Sequence, residues 1–275
     1  MLVMLRKITI IALMLLVAFG ASAQRKGART KVIAHRGYWK AEGSAQNSIR
    51  SLIKADSIHC WGSEFDVWMS KDGTLYVNHD ADINGVEIQK SKSRDIAKQK
   101  LSNGEFIPTL EQLLQTAVNL PKLQLVCELK PHDNKKQEAK AVKKIIKMVK
   151  KYGLQDRMTY ITFSLPGMKE LIKRAPQGTE VYYLNGELTP QELKDMGAAG
   201  MDYHFDVFLS NKNWTSQCHQ LGLKSNAWTV DVTLNSGLVD HILDMDLDFI
   251  TTNTPEEMKH VIHERGIFVD LPPRP

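Results

Sequence analysis

Along most of this chain, short runs rich in β-branched and aromatic residues alternate with longer stretches of helical spacing. The runs are Val32–His35, Glu64–Trp68, Leu75–His79, Leu123–Leu129, Met158–Phe163, Glu180–Leu184, Met201–Phe205, Lys224–Thr229 and Asp248–Thr252. Between most of them apolar residues recur about every 3.6 positions. Val142, Ile145, Ile146, Val149 and Tyr152 form one such stripe, with lysines filling the opposite face. Strands alternating with helices predict βαβ units and a parallel sheet.

Geometry removes one of these runs from the parallel set. Only Met69 to Thr74 separate the second run from the third, with Lys71-Asp72-Gly73 as the turn. A crossover between parallel strands takes about a dozen residues or more, so the third run must double back as a hairpin above the second. Eight parallel strands with alternating helices remain, the count of a (β/α)8 TIM barrel. The returning hairpin strand should bring His79 and Asp80 down beside Glu64 and Asp66. Residues 81–107 read as a polar insertion, and a helix should start near Pro108-Thr109-Leu110. No internal repeat or second domain is visible, so 24–275 is read as one barrel domain, with a loose Pro-rich end from Leu271 to Pro275.

The first residues stand apart. Arg6 and Lys7 precede an uncharged apolar run from Ile8 to Phe19, and Ala21-Ser22-Ala23 follows with small residues at cleavage spacing. This is the layout of a signal peptide over 1–23, with an apolar core too short to span a bilayer comfortably. The expectation is an exported protein, periplasmic or secreted, without stable membrane insertion once the leader is removed. The formal net charge is +5, of which Arg6 and Lys7 carry two, and so mild a balance does not argue for a nucleic-acid partner. The lysine-rich stretch from Lys135 to Lys151 reads most simply as a solvated helix face. Three cysteines, Cys60, Cys127 and Cys218, show no CxxC spacing and read as buried free thiols.

In such a barrel the active site lies where the strands end at their carboxyl side. Those ends concentrate ionisable groups: His35-Arg36-Gly37 after the first strand, Glu64 and Asp66 on one face of the second, His79-Asp80 on the hairpin, and Glu128-Leu129-Lys130 on the third. Three carboxylates meeting in a barrel mouth repel one another and call for a cation. All-oxygen ligation suits one Ca²⁺ or Mg²⁺ rather than zinc. A metal beside Arg36 and Lys130 makes a clamp for a phosphoryl group, while His35 and His79 are able to exchange protons near neutral pH. Metal, clamp and histidines together point to phosphoryl chemistry.

His-Arg-Gly, Glu-x-Asp, a Lys-Asp-Gly turn into His-Asp, and Glu-Leu-Lys, in this order, resemble the glycerophosphodiester phosphodiesterase family of phospholipase-C-like barrels. Downstream, Asn226-Ala227-Trp228-Thr229-Val230 resembles the family's late tryptophan strand, and Ile250 to Pro255 its final strand and loop. The resemblance covers roughly 32–262. It implies metal ligands at Glu64, Asp66 and Glu128, an acid–base pair at His35 and His79, phosphate contacts at Arg36 and Lys130, and Trp228 on the substrate side of the pocket. It further implies hydrolysis of a small glycerophosphodiester to glycerol 3-phosphate and an alcohol. One departure stands out. The family commonly has Glu-Asn-Thr after the first strand, and this chain has Gln46-Asn47-Ser48.

Other readings compete with these. Arg36 and Lys130 could serve only to neutralise the carboxylates, and Trp228 could be core packing. His132, Tyr203 and His204 sit near strand ends and are further candidates for the pocket wall, while Trp39 and Trp68 flank the mouth. A related activity on another lipid-derived diester and an inactive phosphodiester-binding barrel, the latter motivated by Gln46, are the alternatives in function. A glycosidase would leave Arg36, Lys130 and both histidines without roles.

Overall fold

The computed structural model describes residues 30–265, so the expected leader over 1–23 and the Pro-rich end lie outside the described residues. In chain order the elements begin β1 (Lys31–Ala34), α1 (Ile49–Ser57), β2 (Gly62–Met69), β3 (Leu75–Val77), β4 (Asp82–Ile83), β5 (Val86–Glu87) and α2 (Ser93–Ile96). They continue α3 (Leu110–Val118), β6 (Gln124–Leu129), α4 (Lys135–Lys151), β7 (Met158–Thr162), α5 (Leu165–Arg174), β8 (Val181–Tyr183) and α6 (Pro190–Asp195). The last are β9 (Gly200–His204), α7 (Phe205–Ser210), α8 (Trp214–Gln220), β10 (Lys224–Trp228), α9 (Ser236–Leu243), β11 (Phe249–Thr252) and α10 (Pro255–Glu264). No helix among the described residues is long and apolar enough to cross a membrane.

Eight strands run parallel in the order β1-β11-β10-β9-β8-β7-β6-β2, and β1 pairs with β2 to close the ring. This is the TIM barrel expected from the sequence. Paired residues of parallel strands share a face, and the register carries one face round the interior: Asp66 pairs with Glu128, Glu128 with Ile161, and Ile161 with Tyr182. Ile33, Val126, Ile161, Tyr182 and Phe249 fill the barrel as an apolar plug. The alternate residues, among them Phe65, Val67, Leu125, Cys127 and Tyr160, face outward into a continuous core shared with the helices. The three cysteines are free and buried.

Local sequence sets where the helices begin. Thr109 and Gln112 form a capping box at α3, where the expected start near Pro108-Thr109-Leu110 is met, and Asn134 and Ser164 cap α4 and α5. On α4 the stripe residues Val142, Ile145 and Val149 are buried.

β2 is longer than its neighbours, and its last residues, Val67–Met69, pair antiparallel with β3 above the barrel. The hairpin deduced from the six-residue spacing is therefore present, with Gly73 at φ 92° in its turn. The insertion at 81–107 differs from its polar reading. Ile83, Ile88, Ile96 and Ile107 pack with Trp68 and Tyr76 in a small core of their own. Widely spaced single isoleucines among charged residues give no periodic signal, which hides such a core from pattern reading.

The loop after β1 is fixed tightly to α1. Gly37, at φ 75°, donates its backbone N–H to the carbonyls of Ala34 and Glu64, and a Cβ there would lie 2.3 Å from Ser51 Oγ and 2.7 Å from its backbone carbon. Gly37→Ala is therefore expected to cost about 2–4 kcal/mol, combining left-handed strain with overpacking against backbone. Equilibrium urea unfolding measures it, and a change below about 0.5 kcal/mol, the range of neutral surface substitutions, would refute the reading.

Candidate active site

Glu64 and Asp66 on β2 and Glu128 on β6 are buried at the carboxyl end of the barrel, and one oxygen from each lies within 4.8 Å of the others. Lys130 Nζ stands 2.8 Å from Glu128 Oε1 and 3.2 Å from Asp66 Oδ1. Arg36 donates its backbone N–H to Glu64 Oε2 at 2.7 Å, and its Nε is 4.0 Å from Asp66 Oδ2. Three carboxylates thus meet two cations. Glu128 Oε1 is held by the Lys130 ion pair, while Glu64 Oε1 is buried with no hydrogen-bond partner.

The electrostatics follow from that imbalance. Burial, then repulsion from Asp66 and Glu128, pushes the Glu64 carboxyl well above its usual range. Burial and the charge of Asp66 push Glu128 up to about 8. Asp66 goes the other way: although burial opposes it, the charges of Lys130 and His79 and a hydrogen bond from Asn47 hold it below the usual range. Buried, converging carboxylate oxygens, with Glu64 Oε1 left unpartnered, are hard donors, and they fit a divalent cation of the Ca²⁺ or Mg²⁺ type.

The segment Gln46-Asn47-Ser48 places three short polar side chains in three positions. Gln46 Oε1 accepts from Arg36 Nη1 at 2.7 Å. Asn47, left-handed at φ 59°, donates Nδ2 to Asp66 Oδ2 at 2.8 Å and accepts the Asp66 backbone N–H at 3.1 Å. Ser48 caps α1. Asn47 was not singled out by sequence reasoning, although asparagine is among the few residues that enter the left-handed region readily.

His35, at the end of β1, has Nε2 3.9 Å from Glu64 Oε2 and Nδ1 2.8 Å from Asn253 Oδ1. Burial and the neighbouring Arg36 bring its pKa down to about 4. His79 lies on the chain leaving β3, whose Asn78 N–H bonds to the Asp66 carbonyl, and its own carbonyl accepts from Trp68 Nε1. The side chain of His79 is partly exposed and pairs with Asp80 at 2.7 Å. Asp80 itself is three-quarters exposed. It does not join the carboxylate cluster and pairs with His79 instead.

Trp228 ends β10 with Nε1 bonded to the Asp202 carbonyl, edge-on to Phe163 and 4.8 Å from the His204 ring. The other mouth candidates are placed differently. Tyr203 points outward, buried among helices with its hydroxyl on the Leu188 carbonyl, because the strand alternates and Asp202 takes the inner face. His132 links the hairpin to the end of β6, accepting the Met69 N–H on Nε2 with Nδ1 on the Lys130 carbonyl. Trp68 belongs to the core of the insertion, and Trp39 donates to Asn253. A broad groove on the outer surface, lined by Ile53, Phe106 and Gln115 among others, includes none of the site residues.

The raised carboxyls give a signed prediction for protein kept in chelator. Above about pH 6.5 the folded state holds a proton on Glu128 that the unfolded state has released, and Glu64 is shifted in the same direction, so stability falls as pH rises towards 8. Below 6.5 His35, neutral when folded and charged when unfolded, opposes this by losing stability as pH drops towards 4. Thermal melts in EDTA should therefore show Tm declining from pH 6.5 to 8, with a shallower decline in Glu128→Gln. A Tm that rises across that interval would contradict the assignment.

Comparison with known proteins agrees with this geometry. The glycerophosphoryl diester phosphodiesterase family model matches residues 35–257. A curated relative, the glycerophosphodiester phosphodiesterase of Caldanaerobacter subterraneus subsp. tengcongensis, is 22% identical over 254 residues, covering 86% of this chain and 100% of the relative. A solved structure of a glycerophosphodiester phosphodiesterase from Parabacteroides distasonis is 48% identical with a TM-score of 0.84, over 86% of this chain and 98% of its own. An Oleispira antarctica phosphodiesterase, solved with its product sn-glycerol-3-phosphate, shares the fold at 21% identity and a TM-score of 0.73, over 85% of this chain and 96% of its own. The chain belongs to the glycerophosphoryl diester phosphodiesterase family.

Proposed function

We propose that this chain is an exported, divalent-metal-dependent hydrolase that cleaves glycerophosphodiesters to glycerol 3-phosphate and an alcohol. The observation that carries the reading is the buried cluster Glu64, Asp66 and Glu128, flanked by Arg36 and Lys130. Family membership and the glycerol phosphate product bound by the Oleispira relative support the substrate class. Export rests on the leader pattern of residues 1–23 alone.

Held by the three carboxylates, Ca²⁺ or Mg²⁺ would polarise a phosphoryl oxygen and offset charge that develops there. Arg36 and Lys130 bind the phosphate oxygens. Gln46 orients Arg36, and Asn47 orients Asp66. One of His35 and His79 takes the proton of the nucleophile as its oxygen bonds to phosphorus, the nucleophile being water or the substrate's own neighbouring hydroxyl, whose cyclic phosphate water then opens. The other gives a proton to the alcohol oxygen as its bond to phosphorus breaks. Trp228, with Phe163 and His204 against it, walls the substrate side of the pocket.

Steady-state hydrolysis of glycerophosphocholine and glycerophosphoethanolamine tests the reading. Activity should disappear in EDTA and return with Ca²⁺ or Mg²⁺. Glu64→Gln, Asp66→Asn and Glu128→Gln should each abolish it, and full turnover by Glu128→Gln in chelator would exclude the metal site. His35→Ala and His79→Ala should each lower the rate by about 10²–10⁴, with losses that are not additive because both groups act in one transition state. A nitrophenyl leaving group should rescue whichever variant lacks the acid. If neither loses tenfold, the assignment of the pair falls.

Gln46→Glu should change kcat/KM by less than about tenfold, or ~1.4 kcal/mol, because the amide oxygen already accepts from Arg36 as a carboxylate would. An inert wild type switched on by Gln46→Glu would instead mark the native chain as a binding protein.

A further inference from the structure

His35 reaches the site at the end of a chain of hydrogen bonds that begins on the far side of β11. Asp231, in the loop after β10, accepts the Asn253 backbone N–H at 2.7 Å and the Thr252 hydroxyl at 2.9 Å, both on Oδ1. Its Oδ2 accepts Asn253 Nδ2 at 3.0 Å. Asn253 Oδ1 in turn lies 3.1 Å from Trp39 Nε1 and 2.8 Å from His35 Nδ1.

The two ends of an amide have nearly the same shape, so chemistry has to decide which faces which. A carboxylate only accepts and an indole N–H only donates. Asp231 therefore requires the Asn253 NH₂ on its side, and Trp39 requires the oxygen on the other. The two demands agree. That oxygen also faces His35, and it only accepts, so His35 Nδ1 must carry the hydrogen. In a neutral imidazole the lone pair is then on Nε2, the nitrogen 3.9 Å from Glu64 Oε2.

We propose that Asp231 and Asn253 are positioning residues that lock His35 in the Nδ1–H tautomer and aim its proton-accepting Nε2 at the carboxylate cluster. A histidine on the flexible side of a loop would populate both tautomers and waste the one that presents a donor where an acceptor is needed. The proposal rests on the function proposed above and takes His35 as the proton-accepting member of the pair, yet the tautomer itself is measurable without any turnover.

The donor and acceptor pattern also says what a single atom change does. In Asp231→Asn the Asn253 backbone N–H still demands an acceptor at the Oδ1 position, which forces the new NH₂ against Asn253 Nδ2. Two donors cannot face each other, so Asn253 turns over, giving up the bond from Trp39 Nε1, whose half-buried ring can turn that N–H to water, and offers its NH₂ to His35. The ring must then accept on Nδ1 and carry its hydrogen on Nε2. Combining Asp231→Asn with Asn253→Asp exchanges the two groups and restores the order: the carboxylate at 253 accepts from the amide at 231, from Trp39 and from His35 Nδ1–H.

Long-range ¹⁵N–¹H correlation spectra of histidine-labelled protein read the tautomer, in EDTA and with Ca²⁺, alongside kinetics on glycerophosphocholine. The wild type should show His35 as Nδ1–H. Asp231→Asn should shift it to Nε2–H and lower kcat by about 100-fold, within the usual contribution of a poised proton acceptor, with KM changed less than about threefold. The exchanged double variant should return to Nδ1–H and recover kcat to within about tenfold of the wild type. An Nε2–H wild type overturns the proposal, as does an Asp231→Asn protein that keeps both Nδ1–H and its kcat. So does a double variant that regains stability by thermal melt but neither tautomer nor turnover, since that is what a purely structural role gives. If Asp231→Asn fails to fold, the wild-type spectrum and the double variant still decide. A wild type that shows Nδ1–H but hydrolyses no diester upholds the lock and defeats the function proposed for the chain.

Discussion

Everything distinctive at the mouth of this barrel follows from burying three carboxylates within reach of one another. Moving even one such charge out of water costs several kcal/mol after relaxation, and repulsion adds to it. Lys130 bridges Asp66 and Glu128, Arg36 gives its backbone N–H to Glu64, and Asn47 gives its amide to Asp66. These contacts satisfy Asp66, leave Glu64 Oε1 unpartnered, and leave Glu128 Oε1 with the Lys130 ion pair alone. The pKa directions say the same: Asp66 is held low, while the other two rise. A cluster so arranged is stable only with protons or with a cation on it, and a divalent cation does the work of several protons at once.

The barrel supplies the geometry that makes this clustering unavoidable. β2 and β6 are neighbours, and their register sets Asp66 directly beside Glu128 on the inner face. The period of two along a strand puts Glu64 on the same face as Asp66. Beneath them an apolar plug of Ile33, Val126, Ile161, Tyr182 and Phe249 closes the barrel, so the carboxylates have no route to water except through the mouth. The first loop adds the rest. Arg36, Gly37 and Asn47 all sit at positive φ, and those turns fold the loop back until it touches Glu64, Asp66 and α1 together.

Strand order, the hairpin and the carboxylate cluster were legible in the sequence because each obeys a periodicity or a reach. Glu64 and Asp66 share a face by alternation, and a six-residue link cannot cross a barrel. What the sequence concealed depends on contacts between distant segments. Asn47 touches Asp66 only because the first loop turns left-handed. Asp231 and Asn253 meet His35 because β10, β11 and β1 are adjacent in the closed ring, and no spacing along the chain encodes that. Tyr203 stood near the right strand end, but on the wrong side of an alternation that only Asp202 reveals. The core of the insertion escaped because four isoleucines scattered over twenty-five positions have no period to detect.

The same accounting shows what a glutamine does where the family resemblance leads one to expect glutamate. The hydrogen bond to Arg36 Nη1 needs an acceptor oxygen, and Gln46 Oε1 supplies it at 2.7 Å. What the substitution removes is charge. Arg36 then has no carboxylate of its own, and its guanidinium leans on the buried cluster instead, with Nε 4.0 Å from Asp66 Oδ2 and without a hydrogen bond. With a divalent cation on the three carboxylates, Arg36 and Lys130 leave the site one net positive charge, which a glutamate at 46 would cancel. A phosphodiester carries one negative charge, so the mouth with glutamine is the one whose charge the substrate itself completes.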